Sequence, residues 1–149
     1  MEIVPYSDTY RNQILNVWEE SVTATHHFLN STDFQAIRDC VHTIDFNRLY
    51  LFCMMDGDIL AGFVGIAERK VEMLFIAPRY FRQGLGKRLM MFAISEWKIE
   101  RVDVNEQNES AVEFYHRLGF EIYERCEYDD QGRHYPILRM KLGNPSWKD

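Results

Sequence analysis

From Leu49 onward the apolar pattern reads as three strands in succession, Leu49–Met55, Ile59–Ile66 and Val71–Ile76. The first two are joined by Asp56-Gly57, a strong signal for a tight antiparallel hairpin. Pro78 closes the third, because proline has no amide to give a central ladder. Three strands in a row break the regular strand-helix alternation that a doubly wound dinucleotide fold requires. A mixed sheet with flanking helices is expected instead.

The flanking segments supply the rest. A short strand at Ile3-Val4 precedes the cap residues Ser7-Asp8 and a helix carrying Ile14, Leu15, Val17, Trp18 and Val22. After Asn30-Ser31-Thr32-Asp33 comes a second helix with Phe34, Ile37, Cys40, Val41 and Ile44 on its apolar face. The stretch between them, from Thr23 to Leu29, has no strong period. Gly84-Leu85-Gly86 opens a third helix, with Leu85, Leu89, Phe92, Ala93 and Trp97 spaced by three and four. Arg101–Val104 alternates as a short strand, and Ser110–Leu118 is a fourth helix closed by Gly119. Phe120–Tyr128 and Tyr135–Leu142 form a last hairpin around Asp129-Asp130-Gln131-Gly132. The sum is an α/β (α+β mixed) chain of about seven strands and four helices, read as one domain over residues 1–149.

Charge and composition narrow the function. With 17 Lys and Arg against 23 Asp and Glu, the net charge of −6 argues against a phosphate-backbone binder, so no nucleic acid is expected. Cys40, Cys53 and Cys126 are scattered, without C-x-x-C spacing, and no His pair has metal-protease spacing, so no metal is expected. Residues Met1–Tyr6 lack a basic, then apolar, leader, and no apolar run approaches the ~18 residues a bilayer needs. A cytoplasmic location off the membrane is the expectation.

Glu72–Arg88 carries the chemistry: a strand, a glycine turn and a helix start. Glycines let backbone approach a ligand closely, and the first amides of a helix are unpaired at the positive end of its dipole. Arg79, Arg82, Lys87 and Arg88 add four cations in this one stretch. The combination is an anion cradle suited to a diphosphate; the alternative is a plain turn before a surface helix. It is neither a Walker A loop nor a Rossmann fingerprint, since the further residues of each are missing.

A second constellation, Asn105–Phe120, contains Asn108, Ala111, Phe114, Tyr115, Gly119 and Phe120 in the pattern N-x-x-A-x-x-F-Y-x-x-x-G-F. With the proline-ended strand and glycine turn before it, this resembles the GNAT superfamily of acetyl-CoA-dependent N-acetyltransferases. The resemblance runs from about Ile3 to Leu142. Ala24–Leu29, Asn105–Glu109 and Pro136–Leu138 are similar to its small bacterial YjaB-like group. Phe81 stands where that family usually has Arg or Gln, and Arg82 where it often has Gly.

The resemblance implies a GNAT fold with a central, mostly antiparallel sheet, and acetyl-CoA as cosubstrate. It implies that Phe75 and Ile76 present backbone groups to the pantetheine arm and acetyl carbonyl. The amides of Gln83, Gly84, Leu85, Gly86 and Lys87 would take the pyrophosphate, with Arg82 supplying the side-chain charge that Phe81 does not. Asn108 would bond the pantetheine arm, and Tyr115 would lie near the sulfur as general acid. An alkyl ammonium of pKa ~10.4 is only about one part in a thousand neutral near pH 7.4, so a base is needed. Glu72, at the head of its strand, is the candidate, acting through water; the alternative is a plain solvent-facing strand residue. His26, His27, Phe28 and Asn105 are candidates for the acceptor side, the two histidines alternatively being caps or surface residues. The acceptor is an amine of a small molecule or protein, and the chain a monomer or homodimer. A competing reading is a non-catalytic CoA or acyl-CoA sensor or partner-binding module.

Overall fold

A computed structural model describes residues 1–143; residues 144–149 of the expected domain lie outside the described residues. Seven strands form one sheet: β1 (Glu2–Pro5), β2 (Tyr50–Asp56), β3 (Ile59–Ala67), β4 (Lys70–Ile76), β5 (Arg101–Asn105), β6 (Phe120–Cys126) and β7 (Ile137–Leu142), in the order β1-β2-β3-β4-β5-β7-β6. Four helices flank it: α1 (Arg11–Thr25), α2 (Ser31–His42), α3 (Leu85–Trp97) and α4 (Glu109–Arg117). β4 and β5 are parallel and every other neighbouring pair is antiparallel, so the mixed, mostly antiparallel architecture expected from the sequence is present.

Local chemistry adjusts several boundaries. Asp56 pairs with Ile59, so the hairpin loop is Gly57-Asp58 rather than Asp56-Gly57. Ser7 caps a short 3-10 turn, Asp8–Tyr10, ahead of α1, its hydroxyl accepting from the Thr9 amide at 3.4 Å. Asn30 and Asn108 cap α2 and α4 by accepting from the amides of Asp33 and Ala111. β7 starts at Ile137 and not Tyr135, because the residues before it are tied elsewhere. The Tyr135 hydroxyl donates to Asp33, Arg133 pairs with Asp33, and the Pro136 carbonyl accepts from Glu106.

The core lies between the sheet and helices α1 and α3. α1 buries Ile14, Val17, Trp18 and Val22, and α3 buries Leu85, Leu89, Met90, Ala93 and Ile94 at the three-and-four spacing seen in the sequence. Phe46, Phe63 and Phe120 are fully buried. Each such side chain contributes on the order of 1.5–3 kcal/mol.

Two irregularities position the site. Between β3 and β4 the register jumps, with Gly65 opposite Met73 but Ile66 opposite Val71, which leaves Glu72 as the extra residue of a bulge. β4 then pairs with β5 only at Lys70–Arg101 and Val71–Val102. Past Val71 the two strands part. Asp103 holds the closed end, pairing with Lys70 of β4 at 2.6 Å and Arg139 of β7 at 2.7 Å.

Candidate active site

The parted strands open into a cleft of about 690 Å³ running between β4, α4, the start of α3 and the end of α1. At the α3 end the chain turns sharply. Arg82 and Gly84 both take left-handed backbone, with φ of 63° and 77°, and the helix starts at Leu85. Its first bond runs from the Arg88 amide to the Gly84 carbonyl at 3.0 Å. The amides of residues 82–87 therefore have no acceptor among the described residues. A Cβ on Gly86 would sit 3.4 Å from the Phe114 ring, so α3 and α4 approach closely at the cleft wall.

The four cations of this stretch divide. Arg79 lies over the Tyr80 ring and donates to its hydroxyl, which in turn donates to Asp56. Arg88 donates to the Met1 carbonyl. Arg82 and Lys87 line the cleft and have no partner among the described residues. That leaves these two side chains and the helix end as the positive charge facing the cleft.

Along the cleft floor, Leu74, Phe75 and Ile76 of β4 offer backbone edge where β5 has turned away. Opposite stands Asn108. Its Oδ1 is committed to capping α4, accepting from the Ala111 amide at 3.3 Å, which leaves Nδ2 as the free donor. Tyr115 is buried, its ring held edge-on by Phe114 and Phe120 at 5.1 and 6.0 Å between centroids. Its hydroxyl has no partner among the described residues although the side chain lines the cleft, and burial pushes its pKa well above the usual phenol value. It stays a protonated donor at neutral pH.

The other end is closed by the C-terminus of α1, where Ser21, Thr25 and His26 line the cleft. Thr25 donates to the Ser21 carbonyl at 2.8 Å and sits 2.7 Å from His26 Nδ1. Burial, with the neighbouring His27 charge second, pushes the His26 pKa below its ordinary value.

Of the residues singled out in the sequence, His26, Phe75, Ile76, Arg82, Gly84, Leu85, Gly86, Lys87, Asn108 and Tyr115 come together in this lining. Five do not. Glu72 is exposed on its bulge, and Gln83 is exposed with its side chain donating to the Arg79 carbonyl. His27 is exposed, Phe28 packs with tilted rings between His26 and Tyr135, and Asn105 ends β5, its carbonyl accepting from the Asn108 amide. Sequence reasoning missed Ser21, Thr25 and Arg117. The signal for the first two was present: polar residues four apart on a helix share a face, and Ser21 is buried beside Val17, Trp18 and Val22.

Arg82 offers a test in two directions. Left-handed backbone costs a non-glycine residue roughly 1–2 kcal/mol, part of which glycine would return as unfolded-chain entropy. Arg82→Gly is expected to raise Tm by a few degrees while weakening CoA binding a few-fold at low salt, the second effect vanishing at high salt. Calorimetry and a binding titration at two salt concentrations check both signs.

Residues 13–142 match the acetyltransferase (GNAT) domain family. The chain is 33% identical over 128 residues to the peptidyl-lysine N-acetyltransferase YjaB of Salmonella typhimurium, covering 86% of this chain and 88% of that one. The solution structure of apo YjaB from Escherichia coli superposes with a TM-score of 0.88 at 31% identity, covering 97% of this chain and 98% of that one. The PaiA N-acetyltransferase of Thermoplasma acidophilum, solved with coenzyme A, shares the fold at a TM-score of 0.73 and 20% identity, covering 96% of this chain and 98% of that one. The non-catalytic sensor reading is not favoured beside relatives that are transferases. An extensive sequence match that spans both the glycine turn and the Asn108–Phe120 motif leaves one assignment: the chain belongs to the GNAT family of acetyltransferases, enzymes that move acetyl from acetyl-CoA to an amine.

Proposed function

We propose that this acetyltransferase delivers its acetyl group to the Nε amine of lysine side chains in polypeptides, with acetyl-CoA lying along the cleft. The observation that carries the reading is the pair of helix ends facing the cleft. α3 presents its N-terminus, with about half a positive charge, and α1 its C-terminus, with about half a negative one. The first suits a pyrophosphate and the second an ammonium. The names of the YjaB relatives add the lysine.

In this reading the amides of Gln83–Lys87 hold the pyrophosphate, aided by Arg82 and Lys87. The pantetheine arm extends along Phe75 and Ile76 as an added strand, with Asn108 Nδ2 donating to it. His26, with Phe28 beside it, borders the acceptor, and His27 and Asn105 lie outside the lining. The amine nitrogen attacks the thioester carbonyl, the C–N bond forms, the C–S bond breaks, and the Tyr115 hydroxyl protonates the departing sulfur. Glu72, outside the lining, reaches the amine only through solvent. Every group is supplied by one chain, so monomer and homodimer serve equally. The free cysteines Cys40, Cys53 and Cys126 accord with the cytoplasm.

The test is acetyl-CoA with three acceptors: an N-terminally blocked lysine peptide, a lysine-free peptide with a free amino terminus, and spermidine. Mass spectrometry is expected to find Nε-acetyl-lysine as the main product. Faster acetylation of spermidine would replace the peptide with a polyamine, and CoA binding without turnover on any amine would sink the catalytic reading.

A further inference from the structure

His26 is half-buried in the wall of the acyl-transfer cleft, and its Nδ1 lies within hydrogen-bond reach of the Thr25 hydroxyl. A threonine hydroxyl carries one proton. With that proton on the Ser21 carbonyl at 2.8 Å, the Thr25 oxygen accepts from the Nδ1–H of His26, 2.7 Å away. That arrangement places the imidazole proton on Nδ1. Nε2 is left with a lone pair and no partner among the described residues, on a side chain that lines the same cleft as Tyr115.

We propose that His26 is the proton acceptor for the acceptor amine, its Nε2 taking the ammonium proton as the substrate enters beside the thioester. This rests on the reading of the cleft as an acyl-transfer site for a primary amine. The amine freed in this way forms the C–N bond, and the C–S bond breaks. Tyr115 gives its proton to the sulfur and recovers one from the amide nitrogen, and the imidazolium releases the ammonium proton to solvent. One proton leaves per acetyl transferred.

The surroundings keep the imidazole ready. The titratable and charged groups about it are His27 and, across Phe28, Tyr135 with Asp33 and Arg133; from the cleft lining they are Tyr80, Tyr115, Arg117, Arg82 and Lys87. Burial first and the His27 charge second hold its pKa below the ordinary imidazole value. Among the described residues no carboxylate lines the cleft, and Glu72 sits exposed on its bulge.

Two measurements decide it. In the whole protein, ¹⁵N NMR of the His26 ring is expected to give the Nδ1–H tautomer; an Nε2–H tautomer overturns the assignment. With a lysine peptide and acetyl-CoA, His26→Gln is expected to lower kcat roughly tenfold and to abolish an acid limb of the pH profile lying below the ordinary imidazole range, with CoA affinity unchanged. Imidazole is expected to restore part of the rate to His26→Ala. An unchanged acid limb in His26→Gln, or its loss in Glu72→Gln instead, overturns the proposal. The NMR arm needs no turnover, so a wrong acceptor, seen as no wild-type activity on lysine peptides, is distinguished from a wrong His26.

Discussion

Tyr115→Phe is expected to lower kcat on the best amine by roughly ten- to a hundredfold while leaving the CoA dissociation constant within twofold. The split follows from what the substitution removes. The ring is fixed by Phe114 and Phe120, and phenylalanine keeps both edge contacts. The hydroxyl has no protein partner among the described residues, so its loss orphans nothing and the fold is unaffected. It matters only when the C–S bond breaks. A thiolate of pKa ~8.5 is already a fair leaving group, and a phenol of pKa ~10 gives up its proton uphill by about 2 kcal/mol, more so where burial has raised it. Those two facts set the effect at the low end for a general acid. Rapid-quench kinetics beside a CoA titration provide the check, and full turnover in the variant would leave Tyr115 a packing residue.

Gly84→Asp is expected to weaken CoA binding by about two orders of magnitude. A carboxylate held on the order of 5 Å from a diphosphate at an effective dielectric near 20 costs about 3 kcal/mol per phosphate charge it faces, before screening. Space is not the obstacle, because a Cβ at this position meets nothing within 4 Å. The left-handed backbone is a second cost, of roughly 1–2 kcal/mol, and it falls on the free protein and the complex alike. Gly84→Ala separates them. It is expected to lose Tm with little loss of affinity, whereas Gly84→Asp loses both. Equal affinities for the two variants would mean that the turn does not face the phosphates.

Much of this was legible in the chain because local chemistry and tertiary structure agree. Gly84-Leu85-Gly86 announces both a turn and a helix start, and Asn108 is at once the motif residue and the cap of α4. The Asp56-Gly57 signal placed the hairpin and missed its loop by a residue, since pairing at Asp56–Ile59 is settled across strands. Glu72 shows the limit more sharply. Strict alternation takes it for an ordinary strand position, but the bulge that makes it the extra residue depends on how Val71 and Met73 meet β3. Its side chain accordingly lies outside the cleft lining. Arg82 was legible only in part: its charge was visible in the sequence and its left-handed backbone was not. The Thr25–His26 pair belongs to an unpatterned stretch whose meaning appears only when the end of α1 is set against β4 and α4.

The parting of β4 from β5 makes the sheet two leaves on a short spine. β1 to β4 form one leaf and β5, β7 and β6 the other, and two residue pairs with the Lys70–Asp103 ion pair join them along the sheet. A long ligand lodged in the cleft would touch β4 of the first leaf and α4, which packs on β5 and β6 of the second. Bound cosubstrate is therefore expected to brace the two leaves against each other, which slower amide hydrogen exchange in β4 and β5 with CoA present would register.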